Sequence, residues 1–216
     1  MNTSYLDLPS ARATEDPAML GVINYLDTFL AQPHPALQAV GRPGNVCPFT
    51  RMALESNSIR FTRERVDVAS SESIANLKAI LQEIRLGNFF TDVEQIVADR
   101  RLASLLVLVD GPQSPEECHA CVSEVQKELQ PDFVESKLLM SELHPHNRVP
   151  SLHSPDFFPS GAVPHPIFFI RKIISKDIPF LAREDRYPPE TVARVRGSLV
   201  EQFGEDVVRE AMRKNY

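Results

Sequence analysis

Residues 105–112 read Leu-Leu-Val-Leu-Val-Asp-Gly-Pro. The first five residues form an unbroken apolar run, and the Asp-Gly-Pro that follows is typical of a turn. A strand of this composition suits the interior of a sheet that is covered on both faces, because neither set of alternate side chains is polar. The stretch therefore predicts a central β-strand over residues 102–109.

The segments on either side of this strand predict further strands and helices. β-branched and aromatic residues or short apolar runs favour strands, and these occur over residues 59–68, 133–143 and 167–174. Apolar residues recur at helical spacing over residues 18–30, over 71–86, from Ser114 to about 129, and in two closing helices from 188 that Gly204 separates. This order predicts an α+β fold with a mixed or antiparallel sheet of about four strands and helices packed on one face.

Two further segments complete the predicted organisation. Residues 1–17 are small, polar and acidic and contain two prolines, so we expect a flexible N-terminal arm before a single domain over residues 18–216. Residues 143–166 contain six prolines and four histidines and show little periodicity. A loop this long inside a compact domain is usually functional or disordered, and its apolar residues predict that it packs against the domain.

Composition excludes several classes of protein. The 216 residues are 43% hydrophobic, which is typical of a globular protein. The net charge of -6 argues against nucleic acid as the main partner. No apolar run approaches the roughly 20 residues that cross a bilayer, and the N-terminus does not read as a secretory signal. With only three cysteines, the sequence predicts a cytoplasmic protein in a reducing compartment, without a membrane partner.

Two proline-stiffened segments contain candidate metal ligands. Cys47 lies in Val-Cys-Pro-Phe, and His144 and His146 lie in Leu-His-Pro-His. A thiolate or an imidazole is what haem iron accepts as an axial ligand. The two histidines are two residues apart, which differs from the spacing that presents two imidazoles to zinc from one helix face. Cys47 as a small core residue and the histidines as turn residues are alternative interpretations.

Other motifs point away from familiar chemistries. Cys118 and Cys121 form a C-x-x-C pair inside a predicted helix, next to Glu116 and Glu117. Because acidic neighbours raise the pKa of a thiol, we expect two cysteines that face the core rather than a redox pair. The sequence contains neither a Gly-x-Ser-x-Gly elbow nor a glycine-rich nucleotide loop.

The two proline-stiffened segments together resemble the YqcI/YcgG family of small bacterial proteins. The resemblance rests on Val-Cys-Pro-Phe, followed by Arg51 and the predicted strand from residue 59, and on Leu-His-Pro with Arg148 four residues after the histidine. It covers about residues 43–180. Members of that family include haem-dependent N-hydroxylases that act on the guanidine group of arginine-like substrates in natural-product biosynthesis. The resemblance therefore implies a haem b cofactor, an external electron donor, a redox partner protein and a small guanidine or amine substrate.

The resemblance also implies roles for individual residues. His144 is the first candidate for the axial ligand of the iron and Cys47 is the second. Arg148 or Arg51 would pair with a haem propionate. The residues that would handle protons beside the iron are His146, His153 and His165.

A cationic substrate would need an acidic partner, for which Asp156 and Glu142 are candidates. The haem interpretation requires the stretch near His144 to fold against the turn at Cys47, so that the two enclose a cavity. The alternatives are a non-haem metalloenzyme that uses the histidine-rich loop, a non-catalytic haem carrier or sensor, and a binding module without a cofactor. A homodimer with a shared pocket is compatible with all of them.

Overall fold

The predicted central strand lies in the middle of a five-stranded sheet in a computed structural model, which describes residues 5–97, 99–151, 154–181 and 187–213. The strands are β1 (Leu6–Asp7), β2 (Ile59–Arg65), β3 (Ser104–Asp110), β4 (Leu138–Leu143) and β5 (Ile167–Lys172), in the spatial order β1-β2-β3-β5-β4. Strands β2 and β3 are parallel, and the other neighbours are antiparallel. The sheet is therefore mixed, as predicted.

Helices occupy most of the chain between the strands. They are α1 (Leu8–Arg12), α2 (Pro17–Tyr25), α3 (Pro35–Gln38), α4 (Pro48–Glu55), α5 (Ser71–Leu86), α6 (Phe89–Ile96), α7 (Pro115–Cys118), α8 (Glu124–Glu135), α9 (Ile178–Leu181), α10 (Pro189–Phe203) and α11 (Glu205–Arg213). A π-turn over His119–Ser123 joins α7 to α8 without a break, and we call the resulting element the long helix. None of the helices in the described ranges is long and apolar enough to cross a membrane.

Alternate side chains of β3 are buried on opposite faces of the sheet. Leu105 and Val107 pack in a first cluster, which α5, α6 and the long helix cover. Leu106 and Leu108 pack in a second cluster, which α1, α2 and α4 cover. The C-terminal helices α9, α10 and α11 form a third cluster with the end of the long helix. Helices therefore cover both faces of the sheet.

The α+β prediction is confirmed, with three corrections. The sheet has five strands rather than about four, because the short β1 pairs with β2. Helices lie on both faces rather than one, since β3 is apolar on both sides. The strand predicted over residues 133–143 starts only at Leu138, because α8 continues to Glu135.

The predicted N-terminal arm is wrong for the segment from Leu6 to Arg12. Leu6 pairs with Phe61 of β2, and Leu8 in α1 is buried. The side chain of Asp7 caps α1 by accepting a hydrogen bond from the backbone N–H of Ser10 at 2.9 Å. Apolar burial and a helix cap fix the position of this segment. Strand and helix are each too short here to give a recognisable hydrophobic pattern in the sequence.

Strand direction brings several loops to one end of the sheet. Because β5 is antiparallel to both β3 and β4, those two strands run in the same direction, and β2 is parallel to β3. The strands β2, β3 and β4 therefore end where β5 begins, and we call this place the carboxyl end of the sheet. The long loop predicted over residues 143–166 leaves from this end and returns to it.

Gly111 provides a test of the turn after β3. Its φ angle is +121°, and a Cβ there would lie 2.1 Å from the backbone oxygen of Val66. We expect Gly111→Ala to lower the free energy of unfolding by about 2 kcal/mol or more.

Urea denaturation measures this change, and Gly197→Ala is the matched control. Gly197 lies in α10 with no atom within 4 Å of an added Cβ, so its replacement should raise stability by roughly 0.5–1 kcal/mol. Equal stability of Gly111→Ala and the wild type would contradict the expected clash.

Candidate functional site

A cavity of about 440 Å³ lies at the carboxyl end of the sheet, between the long helix and the residues that follow β4. The helical wall consists of Pro115, His119, Ser123 and Lys127, which are four residues apart and so share one face of the helix. The opposite wall consists of Glu142 and residues 144, 146, 147, 148 and 149. The predicted site residues His144, His146 and Arg148 are therefore brought together in one wall.

Asn147 holds this second wall in place. Its backbone N–H donates to the carbonyl of His144 at 2.9 Å, which closes a tight turn. Its side-chain Nδ2 donates to Oε2 of Glu142 at 2.6 Å, and its Oδ1 accepts from the backbone N–H of Val149 at 2.8 Å. Asn147 and Glu142 are both buried. The amide thus connects the end of β4 to the loop and fixes the direction in which the loop leaves the sheet.

His144 is the most enclosed of the cavity histidines, with an exposed fraction of 4%. Its Nε2 lies 3.1 Å from Oγ of Ser123 and 3.7 Å from Oε2 of Glu142. Burial, together with a smaller effect of charge on His146 and His119, lowers the pKa of His144 from its ordinary value of 6.5 to about 4. The imidazole is therefore uncharged at neutral pH. Its Nδ1 is buried without a hydrogen-bond partner in the described part of the chain.

His146 and His119 are the more accessible histidines of the cavity. His146 is half-buried, and its Nε2 lies 2.9 Å from the backbone oxygen of Gln113 in the turn after β3. His119 is exposed on the helical wall, with its Nε2 3.1 Å from Oε1 of Glu124. Nζ of Lys127 lies 2.7 Å from the same oxygen. The helical rim therefore carries two groups that share one carboxylate.

Cys47 and Arg51 do not take part in this cavity. Cys47 occupies the N-cap position of α4 without a side-chain hydrogen bond and packs against the second cluster. The long helix, which carries the helical wall of the cavity, packs in the first cluster. Arg51 is exposed and pairs with Glu55 of the next helical turn at 2.9 Å. The expectation that the stretches near Cys47 and His144 enclose one cavity is therefore wrong. The reason is that α4 and the long helix cover opposite faces of the sheet.

The remaining predicted residues also lie elsewhere. Nε2 of His165 lies 3.0 Å from Oδ1 of Asp110, and Nε of Arg63 lies 2.7 Å from the other oxygen of that carboxylate. Burial lowers the pKa of His165. Asp156 is exposed and does not line the cavity. His153 lies outside the described residues.

The C-x-x-C pair is confirmed as two buried cysteines. Cys118 and Cys121 are both free thiols in the core, and burial raises the pKa of Cys118 to about 11. Within the ranges that the structure describes, no group of three or more His, Cys, Asp or Glu side chains is arranged to hold a metal ion.

Sequence reasoning did not identify Ser123, Asn147 and Gln113 as members of the site. Ser123 and Lys127 continue a spacing of four that starts at Pro115 and passes through His119, and this periodicity was a usable signal for a common face. Asn147 and Gln113 carried no such signal, because their roles depend on contacts across the turns that only the fold brings together.

Comparison with known proteins gives one match. A family model described as "Domain of unknown function (DUF6875)" matches residues 19–214. Neither a curated protein nor a solved structure matches the chain.

The buried His144 predicts a dependence of stability on pH. The unfolded chain protonates this ring near pH 6.5, whereas the folded protein does so only near pH 4. The unfolded state therefore binds more protons between these values, so the free energy of unfolding should fall as the pH is lowered through this range. The slope for one such group is on the order of 1 kcal/mol per pH unit.

Urea denaturation at a series of pH values measures this slope. His144→Gln should flatten the profile relative to the wild type, while His146→Gln, which leaves the buried ring of His144 in place, should keep most of the slope because burial is the larger cause of the lowered pKa. Identical profiles for His144→Gln and the wild type would show that the folded protein accommodates a charged His144.

Proposed function

Because the chain belongs to the DUF6875 family over almost its whole length, and the description of that family assigns no activity, we propose a function from the cavity itself. The protein is a haem-dependent oxygenase that hydroxylates a nitrogen of a small guanidine or amine substrate, and the cavity between the long helix and residues 142–149 is its site.

One observation carries this proposal. A single cavity is lined by His144, His146 and Arg148. The resemblance to the YqcI/YcgG family assigns roles to all three. The cavity volume of about 440 Å³ falls within the range of small-molecule sites.

The cavity offers individual donors of the kinds that haem uses, although most of the residues that line it are polar or charged. Imidazole nitrogens are axial ligands of haem iron, and Arg148 and Lys127 can pair with its propionates. The form of the haem interpretation that required the stretches near Cys47 and His144 to enclose one cavity fails, because Cys47 does not line it. The proposal therefore rests on an imidazole ligand from the His144 segment alone. When bound, the haem would activate dioxygen and supply one oxygen atom to the substrate nitrogen, with electrons from an external donor such as a redox partner protein.

The protein side chains would bind and orient the substrate. Among the described residues that line the cavity, Glu142 is the one carboxylate, so it is our candidate partner for a guanidinium or ammonium group. The amide of Asn147 holds this carboxylate in position. The uncharged His144 does not repel a cation, which favours the same class of substrate.

Absorption spectroscopy tests the proposal. Protein expressed with haem supplementation should show a Soret band in the ferric, ferrous and carbon-monoxide-bound forms. We expect Arg148→Gln to weaken haem binding by roughly tenfold, because a charge-assisted pair with a propionate is lost.

Cys47→Ala is the matched control, and its spectrum should equal that of the wild type. Absence of a Soret band in the wild type would refute the proposal. A haem carrier or sensor would show the band with six-coordinate iron but would not convert arginine or a related guanidine to a product heavier by one oxygen atom.

A second candidate function rests on a different observation, the 3.1 Å contact between Oγ of Ser123 and Nε2 of His144. A hydroxyl beside an uncharged imidazole can act as a nucleophile with its base. The hydroxyl oxygen would bond to a substrate carbonyl carbon while its proton passes to Nε2, and the leaving group would take that proton. Water would then hydrolyse the ester to regenerate Ser123. This is acyl transfer or hydrolysis without a cofactor.

A fluorophosphonate probe distinguishes the second candidate from the first. If Ser123 is a nucleophile, the probe should label the wild type at Ser123, and Ser123→Ala should abolish the labelling. Thr50→Ala removes another buried hydroxyl away from the cavity and is the control. A wild type that remains unlabelled would exclude the second candidate without affecting the first.

A further inference from the structure

We infer that the cavity is a binding site for a small molecule that carries an oxyanion group, a carboxylate or a phosphate. Lys127 and His119 of the long helix and Arg148 of the loop bind this group, and Glu124 takes its place in the ligand-free protein. This site goes beyond the proposed function and does not depend on haem, because it follows from the charge that the protein itself places around the cavity.

The accessible part of the cavity lining is positive. Lys127 and Arg148 are cations, and both line the cavity. His119 and His146 also line it and become cations when protonated. Among the described lining residues Glu142 is the one carboxylate, and it is buried, whereas Arg148 and His119 are exposed. The side of the cavity that a ligand meets first therefore attracts an anion.

Two donors on the long helix already hold a carboxylate. Nζ of Lys127 donates to Oε1 of Glu124 at 2.7 Å, and Nε2 of His119 lies 3.1 Å from the same oxygen. The hydrogen bond from Lys127, together with smaller effects of charge on Lys127 and His119, lowers the pKa of Glu124. The two side chains thus converge on one carboxylate oxygen and favour its charged form. A carboxylate or phosphate oxygen of a ligand can take the same place.

Glu124 is a partner that a ligand can replace. Its side chain is 52% exposed, and Glu124 itself does not line the cavity. Ion pairs between exposed groups contribute little to stability, because water and salt screen them. Rotation of the Glu124 side chain into solvent therefore makes Lys127 and His119 available to an anion at a small cost in free energy.

Arg148 supplies a cation from the opposite wall. It is exposed, and its side chain forms neither a hydrogen bond nor an ion pair with another residue in the described part of the chain. The neighbouring Asn147 fixes the turn through its bonds to residues 142, 144 and 149. A guanidinium presents two parallel N–H groups that match a carboxylate or a phosphate. An oxyanion in the cavity therefore has cations on both sides.

The local form of the long helix supports a binding role for this wall. His119 and Ser123 are the first and last residues of the π-turn, and both line the cavity. Single π-turns inside α-helices are rare and are frequently found at functional sites. The long helix thus departs from α-helical geometry where it borders the cavity.

A titration of the haem-free protein with succinate or inorganic phosphate, followed by the ¹H–¹⁵N signals of the histidine rings, tests the inference. Succinamide and 1,4-diaminobutane are matched probes, because they keep the carbon chain of succinate but are neutral and cationic. We expect at least one of the two anions to shift the ring signals of His119, which His119→Gln assigns, and neither matched probe to do so. The anion that binds more tightly identifies the group as carboxylate or phosphate. Shifts with 1,4-diaminobutane alone, or with none of the probes, would overturn the inference.

Substitutions distinguish a built site from non-specific binding. We expect Arg148→Gln to weaken binding of the anion by roughly tenfold. Glu124→Gln should strengthen it by roughly two- to fivefold, because an internal competitor is lost. Arg51→Gln and Glu55→Gln are the matched controls, since these two residues form an exposed pair outside the cavity, and both should leave the affinity unchanged. If the cavity variants match their controls, the anion is an adventitious ion only, and the inference is wrong.

This result is separate from the test of the proposed function. A protein that binds succinate or phosphate but shows no Soret band retains the oxyanion site and loses the haem proposal. A protein that shows the Soret band but binds neither anion loses the oxyanion site and retains the haem proposal.

Discussion

The burial of β3 on both faces is the constraint on which the rest of the structure depends. Leu105, Leu106, Val107 and Leu108 are all inaccessible to solvent, so each face of the sheet requires its own layer of helices. Because helices cover both faces, polar and reactive side chains of the sheet can be grouped only where the strands end. The cavity at the carboxyl end of the sheet is a consequence of this arrangement, since the loops after β3 and β4 meet there.

Buried polar contacts give this end of the sheet its definite shape. Glu142 and Asn147 are both buried, and a carboxylate in such a place is costly unless hydrogen bonds compensate for lost water. The Asn147 amide supplies one such bond at 2.6 Å. Any rearrangement of the loop would leave Glu142 with fewer partners, so the pair favours one loop conformation and thereby one position for the histidines on either side.

The cavity histidines differ because of what surrounds each ring. His144 is enclosed by the long helix and β4 and is uncharged, whereas His146 contacts a backbone carbonyl and remains accessible. Residues only two apart in the chain can therefore have separate roles. His144 lies in the wall beside Ser123 and Glu142, and His146 contacts the turn after β3 at the edge of the cavity. This division is also the reason that a single substitution can distinguish the two in an experiment.

The amino-acid sequence by itself determined the elements with strong local signals. The apolar run after Ser104, the helical period over Ser71–Leu86 and the cap at Ser114 each follow from local hydrophobic pattern or turn chemistry. It also identified the His144 segment as chemically unusual. Only the tertiary structure decided that Cys47 lies apart from that segment, because the face of the sheet that a helix covers depends on packing between distant parts of the chain. The tertiary structure also decided the contacts of Ser123 with His144 and of Gln113 with His146. Residues that are distant in the chain but close in the fold produce no periodic pattern in a single sequence.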